Sequence, residues 1–227
     1  MYLMLQTRPD IAFAVQWLSR AMQSPTIEHL NAAKNLLRYL NTSKDLAICY
    51  SPTKKDIVNT LLEGANSLQL VGFSDSDYAG DKETSKSTYG YLFKLAGGPV
   101  TWKSKRASTI ALSTVEAETD ALTEAIREAQ WLIGFFKELE RPIIGPVPIF
   151  EDNTGSITTA YDPALHSRTK HTLLKFHYVR EQVRGGLVSI TFLDTKRMPA
   201  DGLTKALASQ LFRAFIDLLG LKKPRPL

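Results

Sequence analysis

Residues 68–104, LQLVGFSDSDYAGDKETSKSTYGYLFKLAGGPVTWKS, decide the fold. Three strand-like runs, at 68–76, 87–95 and 99–104, are separated by turn-forming residues, and Gly97-Gly98 marks a tight reversal between the last two. Connections this short predict three antiparallel neighbours. The period then changes. From 114 to about 139, Leu122, Ala125, Ile126, Ala129, Leu132, Ile133 and Phe136 recur at helical spacing, with Ser113 as N-cap and Glu116 at the capping-box position. Strands followed by one long amphipathic helix predict an α/β layer with its apolar stripe on the sheet.

Reading outward, 147–151 is a short, mostly apolar strand suited to a sheet interior. Helices at 154–161 and 168–184, a strand at 187–193 and a helical region from about 200 follow. Gly185-Gly186 stops the second of those helices. Toward the N-terminus, apolar spacing predicts helices at 8–23, where Pro9-Asp10 suits a helix start, and 28–40, then a short strand at 46–50. The turn-rich stretch 51–66 reads as a linker. The expected partition is a helical extension (1–50), the linker (51–66), an α/β domain (67–210) and a C-terminal helix and tail (211–227). The order β-β-β-α-β-α-α-β-α implies a mixed five-stranded sheet flanked by helices.

Composition bounds the chemistry. With 227 residues, 44% of them hydrophobic, the chain can bury a sizeable core. The formal charge of +5 is compatible with a polyanionic partner without requiring one. A single cysteine, Cys49, excludes an internal disulfide and a cysteine-rich zinc module. No apolar run suggests a membrane partner and no signal peptide is recognisable, so an intracellular protein, in a cytoplasmic particle or the nucleus, is expected.

Four segments place an acid at the end or start of an element: GFSDSD (72–77), STVEAE (113–118), IFEDN (149–153) and PADG (199–202). One turn before Leu122 lies Glu118, so this carboxylate continues the apolar stripe, while Glu116, Asp120, Glu124 and Arg127 trace the polar side. Asp75 and Asp77 share the parity of Val71 and Phe73, and spacing does not separate the two. Asp152 and Asp201 each stand where an N-cap could stand. Converging at one end of a sheet, such acids suit a hard divalent cation and phosphodiester hydrolysis. Read singly, each is an ordinary cap or turn residue. Among the histidines, His29 reads as structural or exposed, and no His-x-x-x-His spacing favours zinc. Lys103, Lys105, Arg106, Arg168 and Lys170 are candidate phosphate contacts, and Trp102 packs either against sugar or under the sheet.

Ordered blocks carry a resemblance. The segment 2–46, YLMLQTRPDIAFAVQWLSRAMQSPTIEHLNAAKNLLRYLNTSKDL, resembles the end of the reverse transcriptase of copia-type long-terminal-repeat retrotransposon polyproteins. The segments 72–106, 111–119 (ALSTVEAET), 151–157 (EDNTGSI), 168–181 (RTKHTLLKFHYVRE) and 199–205 (PADGLTK) resemble that family's ribonuclease H domain. The resemblance implies a ribonuclease H-like fold and an endonuclease that hydrolyses the RNA strand of RNA–DNA hybrids with two Mg²⁺ ions, for which Mn²⁺ can substitute. It places the family's acids on Asp75, Glu118, Asp152 and Asp201 and its histidine on His171. It also implies a polymerase region supplied elsewhere, because the polymerase's double-aspartate motif is absent. The chain departs from the family at Thr119, Asp120 and Leu173, where a tyrosine, an apolar residue and an acid are usual. The competing readings are an inactive nucleic-acid-binding remnant and a structural interaction domain with solvated acids.

Overall fold

The computed structural model describes residues 1–50, 69–162 and 170–223, with side chains from 173 onward in the last of these. The 51–66 linker and the start of the 168–184 helix lie outside the described residues. The strands are β1 (Ala47–Ile48), β2 (Val71–Asp77), β3 (Thr88–Leu95), β4 (Gly98–Arg106), β5 (Val147–Glu151), β6 (Val188–Phe192) and β7 (Leu221–Lys222). The main sheet has order β4-β3-β2-β5-β6. Its first three strands pair antiparallel, whereas β5 runs parallel to both β2 and β6. This is the mixed five-stranded sheet flanked by helices expected from the sequence.

The hairpin between β3 and β4 turns on Ala96 and Gly97, with φ of 49° and 81°. Two successive positive-φ residues give the turn whose twist matches that of the flanking strands.

Each face of the sheet carries its own core. On one, α4 (Thr114–Glu138) lays Leu122, Ala125, Ile126, Ala129 and Leu132 against Leu70, Tyr91, Phe93, Val147 and Ile149. Val179 of α6 (Lys170–Arg184) and Ala160 of α5 (Thr154–Tyr161) close this layer. On the other, Val71, Phe73, Leu92 and Phe150 meet Met4, Ile11 and Ala12 from the N-terminal segment and Leu203, Phe215 and Leu219 from the C-terminal one. The Phe73 and Phe150 rings stack with centroids 5.4 Å apart. Each such side chain contributes roughly 1.5–3 kcal/mol on leaving water.

The N-terminal segment folds as α1 (Tyr2–Gln6), a 3₁₀ turn (Pro9–Ile11), α2 (Ala12–Arg20) and α3 (Ile27–Thr42). The helix expected at 8–23 is thus shorter and preceded by a tighter turn. The reason is Asp10, which is buried beneath Arg8 instead of facing water as a first-turn acid. His29 caps α3: its ring Nδ1 accepts from the Thr26 backbone N–H at 3.2 Å. This segment shares a core with the sheet, and β1 pairs antiparallel with β7 near the other end of the chain. The helical region expected from about 200 consists of two helices, α7 (Asp201–Thr204) and α8 (Ser209–Leu219). Among the described residues no helix is long and apolar enough to cross a membrane.

Candidate active site

β2 and β5 are paired at Gly72–Ile149 and Phe73–Phe150, and their pairing ends there. Beyond that point the two strands open a crevice at their carboxyl ends, where open α/β sheets place ligands. Asp75 enters it from β2 and Asp152 from the residue after β5. Glu118 reaches it from the second turn of α4, whose start is fixed by Ser113: its hydroxyl accepts the Glu116 N–H at 3.1 Å. Glu116 in turn accepts the N–H of Leu112 at 2.9 Å.

One oxygen from each of Asp75, Glu118 and Asp152 lies within 4.8 Å of the other two. Asp75 and Glu118 are 4% and 6% exposed. Burial pushes the Asp75 carboxyl up to about 7; the Thr204 hydrogen bond counters that, and the charges of Asp201 and Asp152 add to it. Burial also raises Glu118, together with the neighbouring charges of Glu151, Asp75 and Asp152. Glu118 Oε2 and Glu151 Oε2 are buried without a hydrogen-bond donor. Clustered hard oxygens, crowded against one another and short of donors, fit a divalent cation of the Mg²⁺ or Mn²⁺ type.

Asp201, at the start of α7, is near enough for its charge to act on Asp75, yet it lies outside the close group of three. Its carboxylate is held by Lys205. Burial raises its pKa, and that ion pair opposes the rise. Two glycines let α7 approach. A Cβ on Gly90 would stand 2.7 Å from that of Leu203, and one on Gly202 would stand 2.6 Å from the Phe215 ring. The side chain of His171 lies outside the described residues, as do those of Lys170 and Arg168.

Asp77, which spacing alone could not separate from Asp75, is half-buried and folds over the turn: a Cβ on Gly80 would strike its Oδ2 at 1.9 Å. Among the candidate phosphate contacts, Lys105 is exposed. Arg106 pairs with Asp81 at 2.8 Å, and Lys103 pairs with Glu124 at 3.2 Å while lying over the Tyr91 ring. Trp102 packs under the sheet, the second of its two expected placements, because its indole N–H donates to the Met4 carbonyl at 2.7 Å. That leaves its ring committed to the N-terminal segment.

Three neighbours of the acids were not singled out from the sequence. Glu151 is fully buried, its pKa raised by burial and by Asp75 and Asp152. Its period-two spacing from Val147 and Ile149 already puts it on the α4 face. The Thr204 hydroxyl donates to Asp75 Oδ2, and Lys205 pairs with Asp201. Both lie one turn beyond Asp201, a spacing visible in PADGLTK.

No family model matches the chain. It is 36% identical over 220 residues to the retrovirus-related Pol polyprotein from transposon RE1 of Arabidopsis thaliana, a match spanning 97% of this chain and 14% of that protein. It is 35% identical over 224 residues to the corresponding polyprotein from transposon TNT 1-94 of Nicotiana tabacum, 97% of this chain and 16% of that protein. The secreted RxLR effector protein 161 of Plasmopara viticola is 46% identical over 132 residues, 58% of this chain and 84% of that protein. Among solved structures, LC11-RNase H1, isolated from compost by a metagenomic approach, superposes with a TM-score of 0.46 at 16% identity, over 60% of this chain and 93% of that one. The chain therefore spans only 14% and 16% of the length of the two polyproteins. Since their similarity runs through both the N-terminal helices and the acid-bearing sheet, the chain belongs to the copia-type retrotransposon Pol polyproteins.

Proposed function

We propose that this chain is an endonuclease that hydrolyses the RNA strand of RNA–DNA hybrids with two divalent cations. The observation that carries the reading is the meeting of Asp75, Glu118 and Asp152 oxygens within 4.8 Å at the open end of the sheet. Asp201 is the fourth acid of this reading, at the rim of the group. The cations would lower the pKa of an attacking water and stabilise the leaving 3′ oxygen. The side chains supply the frame. Asp75, fixed by the Thr204 hydroxyl, and Glu118, fixed by α4, set the ligand positions, and Asp152 closes the crevice from β5. His171 is assigned to proton movement at the leaving group.

The substrate is held by contacts to its backbone. Discrimination for a hybrid comes from 2′-hydroxyl contacts across the wide minor groove on one strand and from backbone shape on the other. Lys103, Lys105, Arg106, Arg168 and Lys170 are the proposed phosphate contacts. The natural partner is a reverse-transcribing polymerase, since that activity produces such hybrids. Purified protein incubated with end-labelled hybrid and Mg²⁺ or Mn²⁺ tests the reading. Products should carry 5′-phosphate and 3′-hydroxyl ends; 2′,3′-cyclic phosphates would mean attack by the RNA's own hydroxyl, and binding without cleavage would mean a non-catalytic remnant.

A further inference from the structure

Lys205 stands where a cation is wanted. Its ammonium pairs with the Asp201 carboxylate, and the charges of Asp75 and Asp77 also bear on it. Its side chain is 40% exposed, against 15% for that of Asp201. It borders a cavity of about 520 Å³ whose walls include Phe13, Trp17, Leu207 and Phe212. An aliphatic stem resting on such walls while its charged head reaches polar surroundings is the usual compromise for a lysine. Here the polar surroundings are the acids of the site.

A divalent ion and an ammonium cannot share one carboxylate oxygen at contact distance, because two like charges a few ångströms apart repel strongly outside bulk water. A four-carbon stem with open space beside it can swing away at little cost, which a short or enclosed side chain could not do.

We propose that Lys205 is an internal counter-ion that occupies the Asp201 carboxylate until a divalent cation displaces it, so that it sets the concentration at which the Asp201 side of the site fills. Displaced, the ammonium is left at the rim of the crevice with three N–H donors, placed to meet a phosphate oxygen of the substrate. This second role rests on the hybrid-nuclease reading above; the first does not.

The test uses the full chain and Mn²⁺ alone, titrated by calorimetry and by the loss of the free-ion electron paramagnetic resonance signal. Lys205→Met keeps the stem's contact with the apolar wall and removes the charge. It should bind Mn²⁺ about fivefold more tightly at one site, the worth of a partly exposed ion pair. Lys205→Arg should stay near wild type, and Asp201→Asn should abolish the gain in the double variant. An unchanged Mn²⁺ titration in Lys205→Met overturns the proposal, whether or not hybrid is cut. So does a gain that survives Asp201→Asn. If Lys205→Met gains affinity while the wild type cleaves no hybrid, the nuclease reading fails and the counter-ion role stands. In an active enzyme, Lys205→Met should also raise KM for hybrid at saturating Mn²⁺; a KM equal to wild type removes the phosphate role alone.

Discussion

Two groups of buried charge in this molecule are built in opposite ways. In the N-terminal segment, Arg8 grips Asp10 with two hydrogen bonds of 2.9 and 2.7 Å and reaches Ser43 with two more, at 3.1 Å to its carbonyl and 2.8 Å to its hydroxyl. Tyr39 donates to the same carboxylate. Both oxygens of Asp10 are satisfied, and the group ties the 3₁₀ turn to the end of α3. At the carboxyl ends of β2 and β5, by contrast, Asp75 has the Thr204 hydroxyl, while Glu118 and Glu151 each keep a buried oxygen with no donor. Burial of a carboxylate is therefore not the mark of function. The mark is a buried carboxylate left short of donors and crowded by others, because folding alone does not recover that cost.

The sharpest way to break the contrast is to remove one acid from the unsatisfied group. Asp75→Asn and Asp152→Asn should each lower hybrid cleavage on the order of a thousandfold or more, since groups acting as one unit fail together. Circular dichroism should show an unchanged fold. Asp77→Asn, altering a side chain folded over its own turn, should cost far less; an equal loss would hand the site to Asp77.

The satisfied group should respond in the other currency, stability. Arg8→Ala leaves Asp10 buried without its partner and should destabilise the fold by roughly 3–5 kcal/mol in a denaturant titration. Cleavage per folded molecule should hold. Deleting residues 1–64 extends the same test. From composition, the linker at 51–66 argued for an independent sheet domain, but Met4, Ile11 and Ala12 are buried against Val71, Phe73 and Leu92. Loss of a cooperative thermal transition is the expected result, and a sharp transition with intact Mn²⁺ binding would show that the sheet face tolerates exposure.

A third measurement separates the groups by pH. Asp75 sits at about 7 in the folded chain, above its unfolded value, because burial disfavours its charge. A raised folded value means that the folded state binds the proton more tightly. Its contribution to stability is full below the unfolded pKa and is lost as pH rises through about 7. Without divalent ions, the protein should therefore lose stability between pH 5 and 8, on the order of 2–4 kcal/mol. Asp75→Asn should reduce that slope to the share carried by Glu118 and Glu151, and saturating Mg²⁺ should flatten it in the wild type. If the slope persists in Asp75→Asn at full size, it comes from Glu118 and Glu151, whose values are raised in the same direction.

How far these features were legible depends on the distance over which they are formed. The order of strands and the placement of Glu118 follow from local period: one turn before Leu122 is a position no solvated acid should hold. The partners of the acids needed the fold. Thr204 meets Asp75 across 129 residues, and nothing in GFSDSD announces a hydroxyl arriving from PADGLTK. Glu151 was available from strand parity but was overshadowed by its neighbour Asp152. The pairing of β1 with β7 rests on two residues in each strand, too short a run to carry an alternating pattern. Asp10 misled for a related reason: after Pro9 it looks like a first-turn acid, and only the return of α3 supplies Tyr39 and Ser43 around it.

The smallest expected effect applies the contrast between satisfied and unsatisfied charge to the surface. Arg106 spends its charge on Asp81, and Lys103 is divided between Glu124 and the Tyr91 ring. Lys105, between them on β4, is exposed and makes no ion pair among the described residues. A cation already paired must break that pair before it can neutralise a phosphate, so it releases fewer counterions on binding than a free one. Lys105→Ala should therefore flatten the plot of log affinity against log salt by about one unit or less, with no preference among sequences. Lys103→Ala and Arg106→Ala should each change the slope by less than Lys105→Ala does, and Arg106→Ala should also loosen the turn that Asp81 holds. A larger slope change at Arg106 than at Lys105 would mean that the nucleic acid breaks the Asp81 pair on arrival. In that event the paired charges of this strand would be a binding surface held in reserve, and the distinction drawn between satisfied and unsatisfied groups would apply to the interior alone.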